Sequence, residues 1–320
     1  MTPGSTWWVA FALFVFAMLA LDLGVFHRHA HEVKMREALA SSAVWISLGL
    51  LFNAGIYFGW IGGYTGPQRA QAALEFLTGY LIEYSLSVDN VFVFALVFKY
   101  FHIAPLHQHR VLFWGILGAL VMRGGLIFAG IALIHHFHWI IYLFGLVLVV
   151  SGVKMWKSEE VKLEPEKNHI IGLVRRIFPV ATGAYGQKFF VRQGGVLAAT
   201  PLFIVLVFVE WSDVVFAVDS IPAILAVTSD PFVVFTSNVM AMLGLRTLYF
   251  AVAQIMQKFH LLHYGLSVLL VFIGTKMIIA DWFKIPTATS LGVIAFILAV
   301  SVAASLTWPK PVEPGASREA

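Results

Sequence analysis

The chain of 320 residues is 60% hydrophobic and only 12% charged, with a formal net charge of +4. A water-soluble domain is nearer half apolar and a quarter charged, so the composition excludes one, and so small a positive charge calls for no nucleic-acid partner. There is no cysteine, which excludes disulfides and thiolate metal sites.

Apolar runs of about 20 residues, the length that crosses a bilayer as a helix, recur from end to end. They predict an all-α, polytopic transmembrane helical bundle of about nine spans, at 7–26, 42–61, 73–98, 111–134, 138–156, 198–226, 232–256, 262–281 and 288–308. Span 1 has no Lys or Arg before it and reads as a retained helix, not a cleaved signal. It carries Asp22 near its end, and span 2 carries Asn53. Span 3 contains Glu83-Tyr-Ser-Leu-Ser-Val-Asp89-Asn90, span 4 contains Arg123, and span 5 ends on Gly152-Val-Lys154-Met155. The connection 157–197 opens with a charged stretch. It continues through Gly172-Leu-Val-Arg-Arg-Ile-Phe178, which suits a bilayer surface, and Thr182-Gly-Ala-Tyr-Gly, which reads as turn or loop. Span 6 contains Glu210 and then Asp213-Val-Val-Phe-Ala-Val-Asp219-Ser220-Ile-Pro222. Span 7 contains Arg246, and span 8 ends on Gly274-Thr-Lys276-Met277.

The order acid, Val-Asp, Arg, Gly-x-Lys-Met therefore occurs twice. From Arg to Lys there are 31 positions in one copy and 30 in the other. Three spans are an odd number, so the second copy must run through the membrane inverted. That is the plan of secondary transporters, whose substrate sits where the copies meet. The expected organisation is a single transmembrane domain over 1–320. Repeat A covers about 73–156, the cytoplasmic loop about 157–197 and repeat B about 198–281, with spans 1, 2 and 9 peripheral. Of the 21 Lys and Arg, fifteen fall on one side of these spans, and only Arg69 and Lys284 on the other. The positive-inside rule then puts the N-terminus outside and the C-terminus in the cytoplasm.

An ionisable group at membrane depth is costly and persists mainly where it pairs, binds or transports. On a helix Glu83, Ser87 and Asn90 share one face, as do Glu210, Asp213, Ala217 and Ser220. Asp89 and Asp219 lie about 120° from their partner acids. Pro222 removes a backbone hydrogen bond, so a helix break there is expected to turn Asp219 toward the others. Five carboxylates (Glu83, Asp89, Glu210, Asp213, Asp219) with Asn90 and Ser220 would then form an oxygen-rich site, suited to Mg²⁺, Ca²⁺ or Mn²⁺. Arg123 and Arg246 would balance its charge. The competing reading of the acids, ion pairs with these arginines that lock helices together, accounts for a single acid but does not easily absorb all five. Asp22 near a span end reaches interfacial water as readily as a site, and Lys154 and Lys276 suit snorkelling. Histidines gather at span ends, at His27, His29 and His31, at His102, His107 and His109, at His135, His136 and His138, and at His260 and His263. Such groups sense pH or collect metal, though interfacial histidine is also common.

Glu83-x-x-Leu-Ser-Val-Asp89-Asn90, Glu210-x-x-Asp213 and Ala-Val-Asp219-Ser220-Ile-Pro222-Ala together resemble the TerC/Alx family of bacterial integral membrane proteins, over nearly the whole chain. The resemblance implies a transporter related to the LysE-like superfamily. It also implies manganese efflux or delivery of manganese to exported proteins, and a link to tellurium resistance. The family's intramembrane acids fall on Glu83, Asp89, Glu210, Asp213 and Asp219, and its polar neighbour on Asn90. Nothing carries over to 157–197.

The expected function is export of a divalent cation, Mn²⁺ foremost, from the bacterial inner membrane by proton antiport, with no cofactor and no catalysis. Burial favours a protonated carboxyl and a divalent cation favours the carboxylate, so loading releases protons. A metal-binding scaffold for a protein partner docked at 157–197 is the alternative. An intramembrane aspartyl protease also needs two buried Asp, but the Gly-x-Gly-Asp and Pro-Ala-Leu motifs expected of one do not occur.

Overall fold

The computed structural model describes residues 4–21, 35–157, 172, 176–181, 185–186, 188–193, 195–255 and 261–308. Asp22, His27, His29, His31 and His260 lie outside them, as does the Arg246 side chain. The helices are α1 (Ser5–Leu21), α2 (Met35–Tyr57), α3 (Pro67–Tyr100), α4 (Pro105–His136), α5 (Ile140–Lys157), α6 (Pro201–Leu225), α7 (Pro231–Leu243), α8 (Leu245–Ile255), α9 (Leu262–Ile278) and α10 (Thr287–Thr307). The all-α, polytopic class is what the structure shows. Six of the helices are long and apolar enough to cross a bilayer, and α1, α7 and α9 are shorter apolar helices.

Proline opens α3, α4, α6 and α7 in their first turn, where its missing N–H would have had no helical partner. Thr200 caps α6, and Asp230 caps α7 by accepting from the Phe232 and Val233 amides at 2.9 and 3.3 Å. At 34 and 32 residues α3 and α4 are each about 50 Å long, more than the bilayer core, so they tilt or project beyond it.

One expectation fails here. α6 runs unbroken through Pro222 to Leu225. The proline removes only the donor that Val218 O would have taken, three residues before the helix ends. The interruption comes instead at Gly244, between α7 and α8, with Trp45 of α2 packed against that glycine. The span expected at about 198–226 is α6, Pro201–Leu225, and a hairpin precedes it. Phe190–Gln193 (β1) and Val196–Ala199 (β2) form an antiparallel hairpin, with Phe190 opposite Ala199 and Gln193 opposite Val196. Thr200 ties it to α6 by donating to Lys188 O at 2.7 Å, and the Arg110 guanidinium lies 4.8 Å over the Phe189 ring.

Helices α3, α4, α6 and α7 form the centre. α3 packs on α7 as α4 packs on α6, so the first helix of each three-span unit expected from the sequence lies on the second helix of the other. α5 and α9, the third helices, pack most closely of all. A Cβ on Gly274 would lie 2.6 Å from Gly145 O, and Ser267 Oγ donates to Gly152 O at 2.5 Å. α2 covers α3 and α8, α1 lies on α7 through Trp8, Phe11 and Phe232, and α10 packs on α9 and α3.

Candidate functional site

Where α3, α4, α6 and α7 meet, Arg123 is 1% exposed. Its guanidinium grips Asp213 in a two-pronged contact, Nε to Oδ2 at 2.9 Å and Nη2 to Oδ1 at 2.8 Å. Nη1 donates to Glu83 Oε1 and reaches Ser220 Oγ at 3.2 Å. The planar, always charged fork of arginine suits a buried site with two carboxylates to serve. Glu83 also accepts from Asn238 Nδ2 of α7 at 2.8 Å. With its amide oxygen toward the guanidinium, Asn90 accepts from Arg123 Nη2 at 3.3 Å and donates to Leu86 O at 3.2 Å. Helical spacing explains the set. Glu83 and Asn90 are seven apart on α3, as Asp213 and Ser220 are on α6, so each pair presents two polar groups to one neighbour.

The remaining acids do not join this cluster. Because neither α3 nor α6 breaks, Asp89 and Asp219 stay about 120° round their helices from Glu83 and Asp213. Both turn toward the α5–α9 pair. Asp89 Oδ2 lies 3.8 Å from His263 Nδ1 of α9, whose other ring nitrogen is 2.6 Å from Met155 O. Asp219 Oδ1 accepts from Ser151 Oγ of α5 at 2.6 Å and feels the Lys154 charge. Glu210 is half-buried, with its carboxylate over Gly118 of α4. Asn53 is half-buried in α2, Lys154 is exposed, and Lys276 is half-buried and interacts with Glu75. Among the described residues no three His, Asp or Glu side chains meet as a ready metal-binding set. Beside Asp213 a cavity of about 10 Å³ is bounded by Phe94, Leu112, Gly115, Ile116, Ala119, Val209 and Leu245, room for about one water.

Asn238 and Ser151 were not candidates in the sequence. Asn238 belongs to a run, Thr236-Ser237-Asn238, that is wholly buried in mid-helix. Three successive polar residues inside an apolar span are the signal that marks it.

The model of the integral membrane protein TerC family matches residues 68–312, from the first turn of α3 onward, and encloses every residue of the cluster. The chain belongs to the TerC family. This TerC-family protein is 52% identical over 305 residues, 95% of this chain and 92% of the other, to an uncharacterized membrane protein of Myxococcus xanthus, STKORF319. It is 48% identical over 295 residues, 92% of each chain, to an Escherichia coli K12 protein provisionally named a membrane-bound redox modulator, Alx. It is 37% identical over 299 residues, 93% of this chain and 96% of the other, to an uncharacterized membrane protein of Rickettsia bellii. No solved structure matches it.

Proposed function

We propose that this protein exports a divalent cation, Mn²⁺ foremost, across the bacterial inner membrane in exchange for protons. The observation that carries the proposal is the buried meeting of Glu83 and Asp213 on Arg123, each acid from a different three-helix unit. With both acids ionised, two carboxylates and one guanidinium leave the centre one negative charge in excess. A cation and Arg123 compete for the same oxygens, so loading requires the guanidinium to swing aside, and unloading lets it return or lets protons replace it. Asn90 and Ser220 add neutral oxygens of the kind hard divalent ions take. Half-buried Glu210, one turn from Asp213 on α6, is the further carboxylate an approaching cation would meet.

The crossed packing of first and second helices supports two inverted repeats, read with the N-terminus outside and the C-terminus in the cytoplasm. Alternation does not split the molecule repeat from repeat. α5 and α9 touch backbone to backbone at Gly145 and Gly274, a contact that cannot slide without collision. The two move as one arm against the four central helices, and Asp89–His263 and Asp219–Ser151 are the contacts that break and re-form.

The Escherichia coli relative's name concerns redox state. This chain has no cysteine, so thiol chemistry of its own is excluded. Control of a redox-active cation is a route open to a thiol-free membrane protein. The test is cellular metal content. Cells expressing Glu83→Gln or Asp213→Asn retain as much manganese as cells lacking the protein, whereas wild type lowers it. If wild type leaves metal content unchanged, the scaffold alternative stands in place of transport.

A further inference from the structure

Asn238 is 0% exposed, and its two amide ends are treated differently. Nδ2 donates to Glu83 Oε2 at 2.8 Å, while Oδ1 is buried without any hydrogen-bond partner. Turning the amide over offers no remedy, because that would press the carbonyl oxygen against a carboxylate that only accepts. Glu83 therefore fixes the orientation and forces an unsatisfied oxygen beside the cluster. One helical turn along α3 from Glu83, Ser87 Oγ is likewise buried without a partner, at 1% exposure. Its neighbours on α7 do not share the problem. Thr236 and Ser237 satisfy themselves by donating to Phe232 O and Val233 O at 2.6 and 2.7 Å. A buried polar atom left unpaired destabilises a fold, and an apolar residue at 238 would avoid it.

We propose that Asn238 is a cation ligand and sets selectivity, its free amide oxygen completing, with Ser87 Oγ, the oxygen shell begun by Glu83 on the α7 side of the cluster. The inference rests on the transport reading and deepens it. When the guanidinium leaves Glu83, the Asn238 amide keeps that carboxylate oriented and offers Oδ1 to the ion. A neutral amide oxygen at this point favours a partly dehydrated ion over one that holds its waters tightly, as Mg²⁺ does. The site therefore discriminates Mn²⁺ from Mg²⁺.

The experiment is ion flux into proteoliposomes with Mn²⁺ and Mg²⁺ as separate probes, comparing wild type, Asn238→Val, Asn238→Asp and Ser87→Ala. Val, close in size and without oxygen, is expected to raise the KM for Mn²⁺ roughly tenfold, the size of one lost ligand contact, and to narrow the preference over Mg²⁺. Asp keeps the oxygen but exchanges the donor to Glu83 for a second carboxylate, so it is expected to change KM for both ions, lowering it only where both acids are ionised. Ser87→Ala is expected to raise the KM for Mn²⁺ by a smaller factor. Wild-type protein that moves neither ion overturns the transport reading. Wild type that moves Mn²⁺ while Asn238→Val keeps the same KM and the same preference overturns the ligand assignment alone. If Val fails to fold, an unchanged KM in Asn238→Asp overturns it equally.

Discussion

Arg123 is the residue on which the centre depends. Removing one member of a buried ion pair leaves the others charged and unpaired, which costs about 3–5 kcal/mol. Arg123→Met is therefore expected to lower the thermal-unfolding midpoint in detergent sharply. The triple variant that adds Glu83→Gln and Asp213→Asn is expected to recover most of the loss, because no bare charge remains. Equal midpoints for the single and triple variants would contradict the pairing. The acids were legible because a carboxylate among apolar residues stands out wherever it falls. Asn238 was not, since an uncharged amide disturbs hydropathy little and its meaning comes from Glu83, 155 positions away.

At the scale of elements, two glycines predict opposite outcomes. A Cβ on Gly274 would meet Gly145 O at 2.6 Å and Leu148 Cβ at 2.9 Å, atoms that cannot retreat. Gly274→Leu is expected to destabilise by roughly 1–3 kcal/mol or to prevent assembly. The atoms nearest a Cβ on Gly118 belong to the Glu210 carboxylate, the free end of a flexible side chain. Gly118→Ala is expected to keep the wild-type melting midpoint within about 0.5 kcal/mol, the range of substitutions that disturb no special feature. Melts of both proteins in one detergent decide it. Tyr64, between α2 and α3, donates to Asp230 Oδ2 at 2.9 Å and so holds the cap of α7. Burial and the neighbouring carboxylate push its phenol above the ordinary value. The neutral phenol is thus the form the fold favours. Its contribution is complete below about pH 10, the ordinary phenol value, and fades above it, a fading that Tyr64→Phe is expected to abolish in melts across that range. Helix placement was legible from hydropathy because lipid demands long apolar runs. The hairpin was not. Gly194-Gly195 between two short apolar runs is a hairpin signal, but β2 merges without a break into the apolar run of α6.

For the whole molecule, the division into an arm and a centre makes a prediction that a cysteine-free chain is well suited to test. Cysteines at Leu146 and Thr275, both exposed, flank the Gly145–Gly274 contact within the arm. Cysteines at Val150 and Val218, also exposed, flank Ser151–Asp219 between arm and centre. Bridging the first pair with a short reagent is expected to leave Mn²⁺ flux intact. Bridging the second is expected to stop it until reductant is added, and the reverse pattern would contradict the division. The central claim, that Glu83 and Asp213 form a shared site for a moving cation, is tested most directly by Mn²⁺ flux through purified protein in liposomes under an imposed pH gradient. Wild type is predicted to drive Mn²⁺ against protons, and Glu83→Gln and Asp213→Asn to carry none. A wild-type protein that leaves Mn²⁺ where it began, or variants that match its rate, would contradict the account.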